Sequence, residues 1–134
     1  MAYEEALISV TFPSSGDLSS AQYLFGRLTT AGTLGPTTAR GAAALGIIQD
    51  NSTQANFSTK LGVYGISKVA AGDSSGTDGT ITFMTPLMAS SVGRAVPTTL
   101  NIGDHVLGYA LQALTTGTQG VISMLIRPTG PSSS

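Results

Sequence analysis

Cysteine is absent from the 134 residues, which excludes disulfide bracing, thiolate metal sites and cysteine nucleophiles. Tryptophan is absent too, and the single histidine, His105, cannot build a multi-histidine metal site. Charge is scarce: Asp, Glu, Lys and Arg make up 10% of the chain, against roughly 25% in an ordinary soluble domain. Disorder driven by charge repulsion is therefore excluded. The 6 basic and 7 acidic residues leave no basic face for a phosphate backbone, which argues against nucleic acid as a partner. No apolar run approaches the ~20 residues of a membrane-spanning helix. Glu4 and Glu5 stand where an export signal would carry Lys or Arg. The expectation is synthesis in the cytoplasm, without general export and without a membrane partner.

What the chain does hold is apolar and neutral polar. Hydrophobic residues are 41% of it and glycine numbers 17. The length is that of one domain, able to bury about two-thirds of its unfolded surface. Ser, Thr, Gly, Asn and Gln must cover the outside, and a net charge of -1 gives little repulsion between copies. Either the domain tolerates a low-charge surface, or it works packed against its own kind or a large assembly.

Apolar and β-branched runs predict strands at 6–12, 22–28, 45–49, 61–69, 80–84, 92–96, 106–113 and 120–126. Residues 29–44, rich in Thr, Gly and Ala, read as a loop, and 70–79 as a plain glycine-rich loop. Helix is scarce, with only short, weakly capped windows at 19–24 and 39–45. The fold class is therefore all-β, a small β-barrel or sandwich. Its organisation is an N-terminal arm or first strand at 1–12, a β-domain at 13–128 and a flexible tail at 129–134. A Leu-Gly step recurs at Leu45-Gly46, Leu61-Gly62 and Leu107-Gly108. It marks close backbone approach or, alternatively, internal duplication.

Candidate chemistry is thin. Asp104 and His105 could form half of a general base, but neighbours on a strand point to opposite faces. The loop Asp73-Ser74-Ser75-Gly76-Thr77-Asp78-Gly79 has a calcium-loop composition with too few carboxylates and no closing glutamate. Gly41-Ala42-Ala43-Ala44-Leu45-Gly46 lacks the Lys and Ser/Thr of a phosphate loop. Asn51-Ser52-Thr53 and Asn56-Phe57-Ser58 match the glycosylation pattern but read as turn chemistry. No catalytic, cofactor-binding or metal-binding residue is assigned, and no enzyme is expected.

The second half has an ordered cadence: Gly65-Ile66-Ser67-Lys68-Val69, Ala70-Ala71-Gly72-Asp73, Val92-Gly93-Arg94-Ala95 and Asn101-Ile102-Gly103-Asp104. Val106-Leu107-Gly108-Tyr109-Ala110-Leu111 and Val121-Ile122-Ser123-Met124-Leu125-Ile126-Arg127-Pro128 complete it. This order resembles the capsid decoration (cement) proteins of tailed bacteriophages, across roughly residues 45–128. The segment 6–44 departs from the smallest members of that family. The resemblance implies a virion structural protein outside the shell, bound to the major capsid protein, commonly as a homotrimer that braces the shell against internal pressure. An N-terminal arm could add a strand to a neighbour's sheet edge. Tyr3, Leu7, Ile8, Val10 and Phe12 are its candidate residues; alternatively Leu7, Val10 and Phe12 are ordinary core. A rival reading is a small carbohydrate- or surface-binding β-module, although such modules favour exposed Trp or clustered Tyr. A second rival is a hydrolase using His105 and Asp104.

Overall fold

The computed structural model describes residues 5–72, 79–98 and 103–128. The expected tail at 129–134, the loop at 73–78 and Tyr3 lie outside the described residues. Nine strands follow in order: β1 (Glu5–Pro13), β2 (Phe25–Leu28), β3 (Leu34–Pro36), β4 (Gly46–Ile48), β5 (Ser58–Ala71), β6 (Pro86–Ala89), β7 (Ala95–Pro97), β8 (Gly108–Ala110) and β9 (Gly120–Ile126). Among the described residues there is no helix. The fold is all-β, as its punctuated apolar runs predict.

Following the hydrogen-bonded neighbours from β5 through β7, β6, β8 and β9 leads back to β5, which closes a five-stranded barrel. Closure leaves those strands no open edge as a group. Alternation fills the inside: Val69, Ala71, Ile122, Met124 and Ile126 are all buried in one core with Leu87, Ala89, Ala95 and Ala110. The remaining strands form a second sheet, β3-β2-β4-β5-β1. A single bridge between Ser14 and Leu34 ties its two ends. It covers a smaller core of Leu18, Ala21, Leu34, Ile48 and Leu61, with Phe12, Leu24 and Val63 packed against it.

Two strands join these regions. Ile47 and Ile48 of β4 are both fully buried, yet Ile47 belongs to the barrel core and Ile48 to the smaller one. Consecutive strand residues point to opposite faces, so β4 serves as a wall between the cores. The long strand β5 belongs to both sheets. Its first half pairs with β4 at Leu61 and Gly62, and its second half pairs with β9 from Gly65 to Ala71. The change of partner falls at Gly65, whose φ of 106° lies where a side chain would be strained.

The parallel pair that closes the barrel is short, with Ala71 opposite Ala95. Arg94 reinforces it: its guanidinium donates to the carbonyls of Ala71 (2.8 Å), Gly72 (3.0 Å) and Gly120 (3.4 Å). One side chain thereby fastens the ends of β5 and β9 beside β7. Burial lowers its pKa from the ordinary arginine value, which leaves it charged at any physiological pH.

Several local expectations change. Residues 29–44 contain β3, a three-residue strand that exists because β2 pairs with it from Gly26↔Pro36 to Leu28↔Leu34. The run 80–84 is not a strand. Ile81 alone bridges Leu114, and Met84 turns the chain with φ 67°. The strand begins instead at Pro86, which reads in the sequence as a terminator. Proline is tolerated at a first strand position, where its missing N–H costs no ladder bond. The 22–28 strand is shortened to Phe25–Leu28, because Tyr23 adopts φ 70°. Likewise the 106–113 run forms a strand only at Gly108–Ala110. The window at 19–24 forms turns in which Leu24 N–H donates to the Ala21 carbonyl at 3.1 Å. The Leu-Gly steps mark close approaches: a Cβ at Gly46 would strike the Gly62 carbonyl, and one at Gly108 the Leu125 carbonyl.

Candidate partner-binding surface

The outside of a solvated sheet normally carries polar side chains. Here four strands carry an apolar row instead. Pairing places Pro86 opposite Tyr109, Tyr109 opposite Leu125, and Leu125 opposite Ile66. Tyr109, Leu125 and Ile66 are each half-buried between buried neighbours, so they face away from the core. Two positions along β5, Tyr64 is 48% exposed, and Ile8 of β1, 53% exposed, lies opposite it. The row therefore runs from β6 across β8 and β9 to β5, and turns onto β1. Nearby, the Lys68 ammonium sits 5.8 Å from the Tyr23 ring centroid, a cation–π distance.

Among the described residues, β1 pairs with β5 on one side and with no strand on the other over Glu5–Pro13. Its register slips between Ala6 and Ile8 and again between Ile8 and Ser9. Such bulges re-aim side chains, and they divide the residues singled out from the sequence. Ile8 joins Tyr64 on the outer surface. Val10 pairs with Leu61, and Phe12 pairs with Thr59 and packs on the smaller core. Leu7 lies in β1 between the first pair of shifted positions. The segment thus combines an outward residue, a free edge and an anchor.

The anchor has a polar fastening. Ser14 is fully buried; its N–H donates to the Phe57 carbonyl at 2.8 Å, and its hydroxyl donates to the Gln54 carbonyl at 2.5 Å. The Asn56 N–H donates to the Ser14 carbonyl at 2.8 Å with Asn56 at φ 65°. Asn56 is thus a turn residue, in keeping with the turn chemistry expected of the Asn56-Phe57-Ser58 pattern.

The His105 N–H donates to the Gly41 carbonyl at 3.0 Å, and the Asp104 carboxylate packs on Gly41 where a Cβ would stand. Among the described residues no group of three His, Asp or Glu could hold a metal ion. At Asp17, hydrogen bonds from the Ser19 hydroxyl and backbone N–H hold the carboxyl below its ordinary range, the backbone bond being 2.9 Å.

Two further exposed apolar features escaped the sequence reading. Phe83 and Met84, 68% and 45% exposed, crown the turn at 82–85. On the second sheet, Arg27, Leu28, Ala43, Ala44 and Leu45 line an open depression of about 300 Å³. The sequence signal for the first was a Phe-Met pair between two threonines, which imitates a strand.

No family model matches the chain, and no curated protein matches it. Among solved structures the chain is similar to the N base of head fiber gp8.5 in bacteriophage phi29, with a TM-score of 0.59 and 17% identity over 90% of this chain and 93% of that one. At that identity the likeness is one of fold, and it spans both sheets.

Proposed function

We propose that the chain is a non-enzymatic virion structural protein that binds the outside of the major capsid shell and stabilises it against internal pressure. The observation that carries the reading is the likeness, over nine-tenths of the chain, to the base of a phage head fiber. Independent support comes from a chain in which only 10% of residues are charged and from the apolar row between Ile8 and Pro86. Many modest apolar and main-chain contacts, repeated over a shell, add up by multivalency where one would be weak. The contact segment is the β1 region with Tyr3, Leu7, Ile8, Val10 and Phe12, whose free edge can take a partner strand. Self-association, as a homotrimer, and residence on the capsid exterior belong to the same proposal.

Co-sedimentation with expanded shells stripped of the protein tests it. Saturable binding at a fixed ratio to the major capsid subunit, with greater heat resistance of the shell, is expected. Absence of binding to both expanded and unexpanded shells overturns it. Ile8→Ser with Tyr64→Ser should weaken binding at least tenfold with little change in the melting curve, because both side chains are largely exposed.

A further inference from the structure

Of the chain's methionines, Met84, Met88 and Met124 lie among the described residues. Met88 on β6 and Met124 on β9 are sealed from water, each at 0% exposure, whereas Met84 is 45% exposed. Packing thus separates chemically identical thioethers into one that meets solvent and two that do not.

The turn at 82–85 keeps Met84 outside. The Thr82 N–H donates to the Thr85 hydroxyl at 2.9 Å, the two hydroxyls are 2.9 Å apart, and the Thr85 N–H donates to the Thr82 carbonyl at 3.1 Å. The Met84 N–H donates to the Ala110 carbonyl of β8 at 2.7 Å, and the Ala110 N–H returns to the Thr85 carbonyl at 3.0 Å. These bonds hold the backbone at Met84 in its left-handed conformation, φ 67°. The barrel interior nearby is already filled by Leu87, Ala89, Ala110 and Met124, and a close-packed core has no room for a further side chain. Exposure of Met84 therefore belongs to the folded state and not to a fraying loop.

A thioether in water is open to two-electron oxygen donors. The sulfur lone pair takes one oxygen from a peroxide, the O–O bond breaks and the peroxide leaves as water, so that sulfur is oxidised to the sulfoxide. A sealed thioether reacts only when its surroundings open, and its rate falls with the rarity of that opening. We propose that Met84 is a reversible oxidation site. Hydrogen peroxide converts it to the sulfoxide in the folded chain, and methionine sulfoxide reductases, one for each sulfoxide epimer, restore it with two electrons from a dithiol. The fold survives because the new oxygen on Met84 is solvated; on Met88 or Met124 it would be a buried polar group without a partner. What changes is the surface: beside Phe83, itself 68% exposed, an apolar side chain becomes a strongly polar one. The polarity of the turn is then set by redox state, whatever the chain binds.

Dilute hydrogen peroxide on the purified full chain, followed by peptide mapping with mass spectrometry, tests it. The Met84 peptide should gain one oxygen at least tenfold faster than those of Met88 and Met124, with far-UV circular dichroism and melting temperature unchanged. In denaturant the three rates should converge, which assigns the difference to packing. Both reductases with dithiothreitol should return the Met84 peptide to its original mass without unfolding. Met84→Leu should leave Met88 and Met124 as slow as before. Comparable rates for all three in the folded chain, loss of the melting transition once Met84 alone is oxidised, or a sulfoxide that the reductases leave in place overturns the proposal.

Discussion

The barrel and the second sheet solve the same problem by different means. The barrel closes on itself, encloses the larger core and needs one arginine to fasten its weakest join. Among the described residues, the second sheet closes through the Ser14–Leu34 bridge, covers a small core and leaves the outer side of β1 unpaired. Closed sheets hide their backbone groups, whereas an edge offers them to a partner. The larger core thus lies in the barrel and the open backbone edge in the second sheet, while the apolar row of side chains crosses from one to the other.

The largest expected effect in the barrel is Gly108→Val, whose Cβ would collide with a backbone oxygen that cannot move aside. No folded protein should be recovered, as judged by one-dimensional NMR. Truncating a core side chain sharpens the contrast. Leu87→Ala should cost about 2–5 kcal/mol in denaturant titration, and Leu34→Ala should fall at the lower end of that range, because the smaller core beside the bridge can collapse around the loss. Both should give a single transition, since β5 and β4 serve both cores. Two separate transitions would show that the regions are independent.

Arg94→Met should cost about 2 kcal/mol, the loss of charge-assisted bonds to carbonyls left partly buried. Amide exchange should quicken first at the ends of β5 and β9. A smaller effect is expected at Thr37, whose buried hydroxyl has no hydrogen-bond partner among the described residues. Thr37→Val should be neutral or raise the melting temperature slightly, because it removes an unsatisfied polar atom at little change of shape.

The smallest effect concerns Asp17, in the segment that leads from β1 to β2. Its folded-state pKa is depressed by Ser19, so its contribution is present above the unfolded value of about 3.9 and fades as pH falls through the folded one. Asp17→Ala should lower the melting temperature a little at neutral pH and not at all in strong acid. An equal loss at both ends would indicate a packing role instead.

Legibility of the fold followed the length of the pattern. β9 spans 120–126 as predicted, and β5 contains the whole predicted run 61–69, because each carries enough alternation to declare a buried face. β3 and β6, three and four residues long, owe their existence to strands beside them, and no window that short has a period. Thr82-Phe83-Met84 has strand propensity, yet the two threonines spend their hydroxyls on the turn. For the surface, Ile8 was legible as an apolar residue near the terminus. Tyr64, Ile66, Leu125 and Tyr109 became a row only through pairing between strands remote in sequence, which composition does not reveal. The bulges that separate Ile8 from Val10 were equally hidden.

The sharing of β5 has a mechanical consequence. A pull that separates the two halves of the molecule must run lengthwise along that strand. It then loads the ladders with β1 and β9 in shear, so that several hydrogen bonds must fail together, whereas a crosswise pull would unzip them singly. Resistance to such a load is set by the barrier to unfolding and not by equilibrium stability. The long strand thus makes the domain stiff along one axis, and the direction in which it is tethered decides how much tension it can bear.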